Sequence, residues 1–452
     1  MFLPLVDLFG EDEVTQLFSE ESVVGSWLEV ERALAHTQAE LGIIPAGAVD
    51  AIDVAAVPGR IDLALLRERT LIVGYPILPL LEQIGAASPE AGRYIHWGAT
   101  TQDIMDTGLA LVVSRALDRI GTLVRELGDE VATKADVHRA TVMPGRTHAQ
   151  PAVPITFGGK LAVWLAELTR HLDRLRAVRG RVVVVQLFGA AGTAAALGPQ
   201  SRAVRHGLAR QLGLGAVDVP WHTARDGLAE AGFVLAATAA TCGKFAREVV
   251  ELSRPEIGEV REEGGHLRGA SSTMPQKANP IGSEAVVGLS IQAALHSSAL
   301  LAAMQGTHER AAGEWQAEWD AVPLTCAATA GAVAGARRVI AGLDVFPGRM
   351  RENLDTQGNA IMAESAMMAL ASVVGRAEAH ALVSEAAAAA RSEGLTLRAA
   401  LERALEPETL AATRPLDDVL DPGSYLGETD AIVTAALAGW ARVTSAAGRA
   451  RP

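Results

Sequence analysis

The chain has 452 residues, of which 49% are hydrophobic and only 4% aromatic, and it carries a formal net charge of −13 at pH 7. That length exceeds what one core fills, so two or three domains are expected. An acidic chain with no segregated basic run is not built to bind nucleic acid, although a local cluster of Arg, Lys and amide groups can still take an anionic substrate. The two cysteines, Cys242 and Cys326, lie in apolar helical stretches, which points to buried thiols and against a disulfide framework. No CxxC or HExxH pattern offers a metal site, and none is expected. The N-terminus lacks a positive region followed by an apolar one, and no stretch reads as a charge-free membrane span. A soluble, cytoplasmic protein without membrane partners is the expectation.

Low aromatic content and abundant alanine favour closely packed helices. In chain order, Ser19 to Leu41 reads as the first long helix. Ser19 caps it, Glu20 and Glu21 suit its positive end, and Gly42 stops it. Residues 107–134 follow, with Leu109, Val113, Leu117, Ile120, Val124, Leu127 and Val131 at helical spacing. Similar seams run through 156–186, 226–256, 281–305 and 316–342, enough for a bundle of long helices. Their apolar faces are too wide for a monomer, so burial against other subunits is expected. A smaller helical region closes the chain. The expected division is 1–105, 106–345 and 346–452.

Five segments carry candidate chemistry. His96 to Asp103, HWGATTQD, places Thr100, Thr101 and Gln102 as donors for a carboxylate after a permissive glycine, Gly98. Thr101 or Asp103 can equally cap the following helix; the two roles coexist, because a helix N-terminus is itself an anion site. Met143 to Gly158 holds three prolines and two glycines and reads as a loop presenting Thr147, His148 and Gln150. In PWHTARDGLAE, Arg225 is a candidate carboxylate clamp, with an ion pair to Glu230 as the structural alternative. LRGASSTMPQKANPIGS, residues 267–283, is a loop broken by Pro275 and Pro280 that gathers Ser271, Ser272, Met274, Lys277 and Asn279. Finally, HERAAGEWQAEW, residues 308–319, reads as a helix with one aromatic face.

The 267–283 segment resembles the signature loop of the fumarase/aspartase superfamily, with Ala270 standing where a glycine is usual. HWGATTQD and GRTHAQ resemble its other two conserved regions. ALAHTQAELGIIP, QLFGAAGTAAALG, PWHTARD and LDPGSYLG are similar to the branch containing 3-carboxy-cis,cis-muconate cycloisomerase, and this likeness covers nearly the whole chain. The resemblance implies an all-α, three-domain fold with a central long-helix bundle, assembled as a homotetramer, with no cofactor. It implies Ser271 as the base that removes a proton beside a carboxylate. Lys277 and Asn279 would hold the resulting dianion, with Ser272 and Met274 beside them. Thr100, Thr101 and Gln102, with His96, would bind the other carboxylate of a di- or tricarboxylate substrate. Because Thr147-His148-x-Gln150 looks more like the elimination enzymes, the expected reaction is β-elimination from a substituted succinate, such as nitrosuccinate to fumarate and nitrite. His148 would then assist the leaving group. Lactonising cycloisomerisation is the alternative. A structural helical scaffold is the non-enzyme alternative, which the intact serine, lysine and asparagine oppose.

Overall fold

A computed structural model describes residues 3–263, 269, 273–274, 277–310, 312–356 and 358–446. It is built from helices, with two short two-stranded antiparallel ladders among the described residues. The first long helix is Glu20–Glu40, and the Ser19 side chain accepts from the Ser22 amide at 3.3 Å, the cap expected from sequence. Five longer helices follow at Thr101–Val137, Phe157–Val182, Asp226–Leu252, Ile281–Ala303 and Glu314–Ala341. Each sits where an apolar seam placed it.

By internal contacts the chain forms two compact units, and the division between them falls across the long helices. One unit comprises residues 1–124, 171–243 and 285–335. Its core gathers Leu28, Leu34, Ile52, Leu80, Ile84 and Ile104, with Leu187 and Leu208 from later segments. Cys242 and Cys326 are both buried in this unit, and burial pushes each thiol up to about 12. The other unit comprises residues 125–170, 244–284 and 336–452, with Met362, Leu370, Leu397 and Leu401 at the centre of its core.

Two sequence expectations change here. The Met143 to Gly158 stretch, read as a loop, falls largely in a β-hairpin whose strands Val142–Thr147 and Gln150–Thr156 pair antiparallel. The prolines do not prevent this. Pro144 stands opposite Pro154, and a two-stranded ribbon has outward edges where a missing N–H costs nothing. Helix Ile281–Ala303 is also long and apolar enough to cross a membrane by length and composition, contrary to the expectation of no such stretch. Its outer positions Ile291, Leu295 and Leu301 are 46%, 59% and 65% exposed. A bundle helix awaiting a protein neighbour passes the same compositional test.

Candidate active site

In the first unit the site is built around the start of helix Thr101–Val137. Thr100 precedes it, and the Asp103 side chain reaches back to accept from the Thr100 amide at 3.1 Å, half of a capping box. Asp103 does much more than cap. It is fully buried, and its carboxylate also accepts from the Phe188 and Gly189 amides at 3.1 and 2.8 Å and contacts His222 Nε2 at 2.9 Å. One carboxylate therefore fixes the 98–103 turn, the 186–189 loop and the 220–222 segment together. Gln102, also fully buried, donates to the His222 carbonyl at 3.0 Å, while its Oε1 has no partner. Gly98 permits the turn: its φ is 77°, and a Cβ there would lie 2.9 Å from Leu197 and 3.0 Å from the Ala196 carbonyl oxygen.

His96 stands at the mouth of this turn in a left-handed backbone conformation, φ 62°. Its Nδ1 lies 2.6 Å from Oε1 of Glu31, which is fully buried. Burial pulls the His96 pKa down, but the charge and hydrogen bond of Glu31, with Asp103 behind, outweigh it and leave the ring above the ordinary histidine range.

Arg225 corrects the sequence reading. It is buried, and its guanidinium is taken up by protein carboxylates: Nη1 and Nη2 donate to Asp106 at 2.7 and 3.1 Å, and Nε donates to Glu318 at 2.9 Å while Nη2 also bonds that residue. Trp315 Nε1 adds a bond to Asp106 at 3.1 Å. An arginine held this way has no fork left for a substrate. Nor does it pair with Glu230, which Arg181 holds instead. The aromatic face of the 308–319 segment is real in its second half. Trp315 and Trp319 pack edge to face, and Tyr75 stacks on Trp315. Trp315 and Trp319, with Trp27 and Leu109, line an apolar cavity of about 360 Å³ whose charged lining is the occupied Asp106 and Glu318 and the pair Glu20–Arg67. The cavity's lining cation, Arg67, is already paired with Glu20, so a dicarboxylate finds no open counter-charge there.

In the second unit, Thr147 and Gln150 face each other across a two-residue turn, His148–Ala149, with φ of 51° and 62°. Two consecutive left-handed residues make the tight mirror-image turn that matches strand twist. Asparagine and glycine usually fill it, so the sequence signal was weak. All four residues are exposed at the hairpin tip. Arg146 fixes the hairpin through a two-pronged bond to buried Glu259 at 2.6 and 2.9 Å.

Of the signature loop, Ser271 and Ser272 lie outside the described residues. The base of the loop is defined. The Asn279 backbone and side-chain amides both donate to the Gly269 carbonyl, at 3.1 and 3.0 Å. Asn279 thus closes the loop, a role the sequence did not reveal. Gly269 has φ 70°, and a Cβ on it would lie 2.4 Å from the Asn279 carbonyl oxygen. Lys277 and Met274 are exposed, and the Lys277 amide donates to the Met274 carbonyl at 3.1 Å. Glu262 caps helix Ile281–Ala303 by accepting from the Gly282 and Ser283 amides at 2.9 and 3.0 Å.

Residues 11–295 match the lyase family, and residues 359–436 match the adenylosuccinate lyase C-terminus family. The chain belongs to the fumarase/aspartase superfamily of lyases. It is 41% identical over 426 residues to the 3-carboxy-cis,cis-muconate cycloisomerase of Pseudomonas aeruginosa, across 93% of each chain. Nitrosuccinate lyase of Streptomyces davaonensis is 36% identical over 439 residues, covering 93% of this chain and 91% of that protein. The structure of 3-carboxy-cis,cis-muconate lactonizing enzyme from Pseudomonas putida superposes with a TM-score of 0.91 at 38% identity, across 98% and 99% of the two chains. The all-α superfamily fold inferred from sequence therefore holds. For the reaction, the higher identity falls on the name given as the alternative, not on the preferred elimination.

Proposed function

We propose that this lyase acts as a cycloisomerase on an unsaturated tricarboxylate of the 3-carboxymuconate type. The observation that carries the reading is the 41% identity to such an enzyme along 93% of both chains. In the lactonising direction one substrate carboxylate attacks an alkene carbon, and a proton is placed on the adjacent carbon beside another carboxylate. The reverse removes that proton and breaks the C–O bond. Either way an aci-carboxylate dianion must be stabilised by fixed donors. Ser271 is the proposed proton carrier, and Lys277 and Asn279 the proposed donors. A serine hydroxyl serves only when desolvated and flanked by cationic and N–H groups that lower its pKa. Thr100, Thr101 and Gln102 are proposed to hold a further carboxylate.

A second reading, β-elimination from a substituted succinate, is favoured by one observation: His148 sits at an exposed hairpin tip in a strained backbone conformation. Strain retained at a polar tip suits a residue delivered to a site. The proposed assembly is a cytoplasmic homotetramer whose sites take 96–103, 147–150 and 269–280 from different subunits. Exposed apolar side chains on the long helices support it, including Phe233 at 65%, Leu295 at 59% and Leu301 at 65%. Light scattering that finds an active monomer removes the assembly. The reaction is tested by assaying 3-carboxy-cis,cis-muconate, nitrosuccinate and adenylosuccinate side by side. Lactone formation without fumarate supports the first reading; fumarate from either succinate, without lactone, replaces it with the second.

A further inference from the structure

Arg225 being fully engaged leaves the question of which cation meets a substrate carboxylate beside Thr100. We propose that Arg310 does: it is the specificity-determining residue that grips the carboxylate received by the Gly98–Gln102 segment. The proposal rests on the reading that this segment binds a carboxylate. Arg310 lies in the connection before helix Glu314–Ala341. Its Nη2 donates to the Ala190 carbonyl at 3.1 Å, which ties it to the 186–194 loop. Nη1 and Nη2 both stand 3.5 Å from Thr100 Oγ1, at the outer limit of a hydrogen bond. Its Nε is buried and has no partner. Among the described residues, no carboxylate pairs with Arg310.

A guanidinium has five donors in a planar fork suited to a carboxylate. Arg225 has spent that fork on Asp106 and Glu318; Arg310 has spent one donor well and two poorly. The poorly used Nη edge faces the Thr100 hydroxyl, at the N-terminus of a 37-residue helix, where an anion is favoured by the first-turn amides. The nearest carboxylates are turned to other partners. The Asp103 carboxylate is saturated, and that of Glu31 is engaged by His96. Arg205 stacks on the Phe188 ring at 3.9 Å beneath the same loop. Thr100 and Arg310 together form a two-sided grip, the hydroxyl from one side and the fork from the other.

The test uses tricarballylate as a probe, because its three carboxylates span both substrate readings. Binding to the intact protein is measured by calorimetry for wild type, R310M, R310K and T100V, with steady-state kinetics on whichever substrate turns over. R310M should weaken tricarballylate binding by ~10²-fold and raise KM by a similar factor, with kcat within ~3-fold of wild type. R310K should recover part of the loss as a point charge without the fork. Thermal denaturation of R310K separates misfolding from lost contact. Wild-type affinity in R310M, or no binding by wild type, overturns the proposal. If T100V binds as wild type while R310M does not, Arg310 grips a carboxylate but the Gly98–Gln102 reading fails. If T100V weakens binding and R310M does not, that reading stands and the role of Arg310 fails.

Discussion

Replacing Arg225 by methionine separates a structural arginine from a substrate clamp. Methionine keeps much of the aliphatic volume and removes the charge. Asp106 and Glu318, each 1% exposed, then face one another without a counter-ion. Removing one partner of a buried ion pair costs ~3–5 kcal/mol, mostly from the stranded charge. Domains of a few hundred residues lose ~2–4 °C per kcal/mol, so the apparent Tm should fall by about 10 °C. The deficit should also depend on pH. Burial already raises the Glu318 carboxyl above the usual carboxylate range, and the bonds and charge of Arg225 restrain that rise. Without Arg225 the group climbs further. A group whose folded pKa exceeds its unfolded value stabilises the fold below the unfolded pKa and loses that contribution as pH rises through the folded one. The Tm deficit of R225M should therefore be smallest in mild acid and widen toward alkaline pH. The triple variant R225M/D106N/E318Q removes the stranded charges and should recover most of the loss. Thermal unfolding followed by circular dichroism across pH 5–9 reads all of this (~5–9 spans the relevant titration). A wild-type Tm for R225M at every pH, with only KM raised, would refute the structural assignment and restore Arg225 as a clamp.

Other outcomes follow from single positions. Ser271→Ala should lower turnover by ~10³-fold or more with circular dichroism and size unchanged; near-normal turnover removes Ser271 as the base. Glu31→Gln should drop the His96 pKa, because burial then dominates what its neighbours had outweighed. Ring titration by NMR checks this, and an unmoved titration contradicts it. In wild type the same pair should contribute stability below the ordinary histidine pKa and lose it as pH rises through the raised one. Ala149→Gly should raise the apparent stability of the hairpin unit by ~1 kcal/mol, since Ala149 holds φ 62° where glycine carries no Cβ penalty. Denaturant unfolding measures it, and a loss of stability means the turn is not held left-handed.

What the sequence made legible was what depends on local pattern. Apolar seams at 3.6-residue spacing marked all five long helices, and Ser19 marked a helix start, because period and capping are properties of neighbouring residues. The 142–156 hairpin escaped because its turn uses His148-Ala149, which carries none of the usual asparagine–glycine signal. Arg225 was misassigned for a different reason. Its partners Asp106 and Glu318 are 119 and 93 positions away, and no local pattern announces a contact at that range. Asp103 showed itself as a capping acid, since Thr100 is close by; its bonds to 188, 189 and 222 were invisible. Glu31 carried no signal, and Arg310 none beyond its place in the 308–319 segment. Each is one charged residue in a charged segment, and only the fold turns it toward His96 or Thr100.

The two candidate reactions ask the same thing of the proton and different things of the group on the neighbouring carbon. Proton removal beside a carboxylate needs a base and a cradle for the dianion, and the 269–280 segment supplies those residue types for either chemistry. In lactone opening the departing oxygen is a carboxylate that stays attached to the substrate, so it needs fixed donors more than a proton. Nitrite leaves as a stable anion and needs little help. An amine needs a proton, and a histidine is the side chain best able to lend one near neutrality. The role proposed for His148 therefore bears on the departing group and not on the base. The carboxylates to be recognised bear on Thr100 and Arg310. A substrate with three carboxylates demands more fixed cations than one with two. With Arg225 committed to the protein's own core, the proposed sources are Arg310 beside Thr100 and Lys277 in the 269–280 segment.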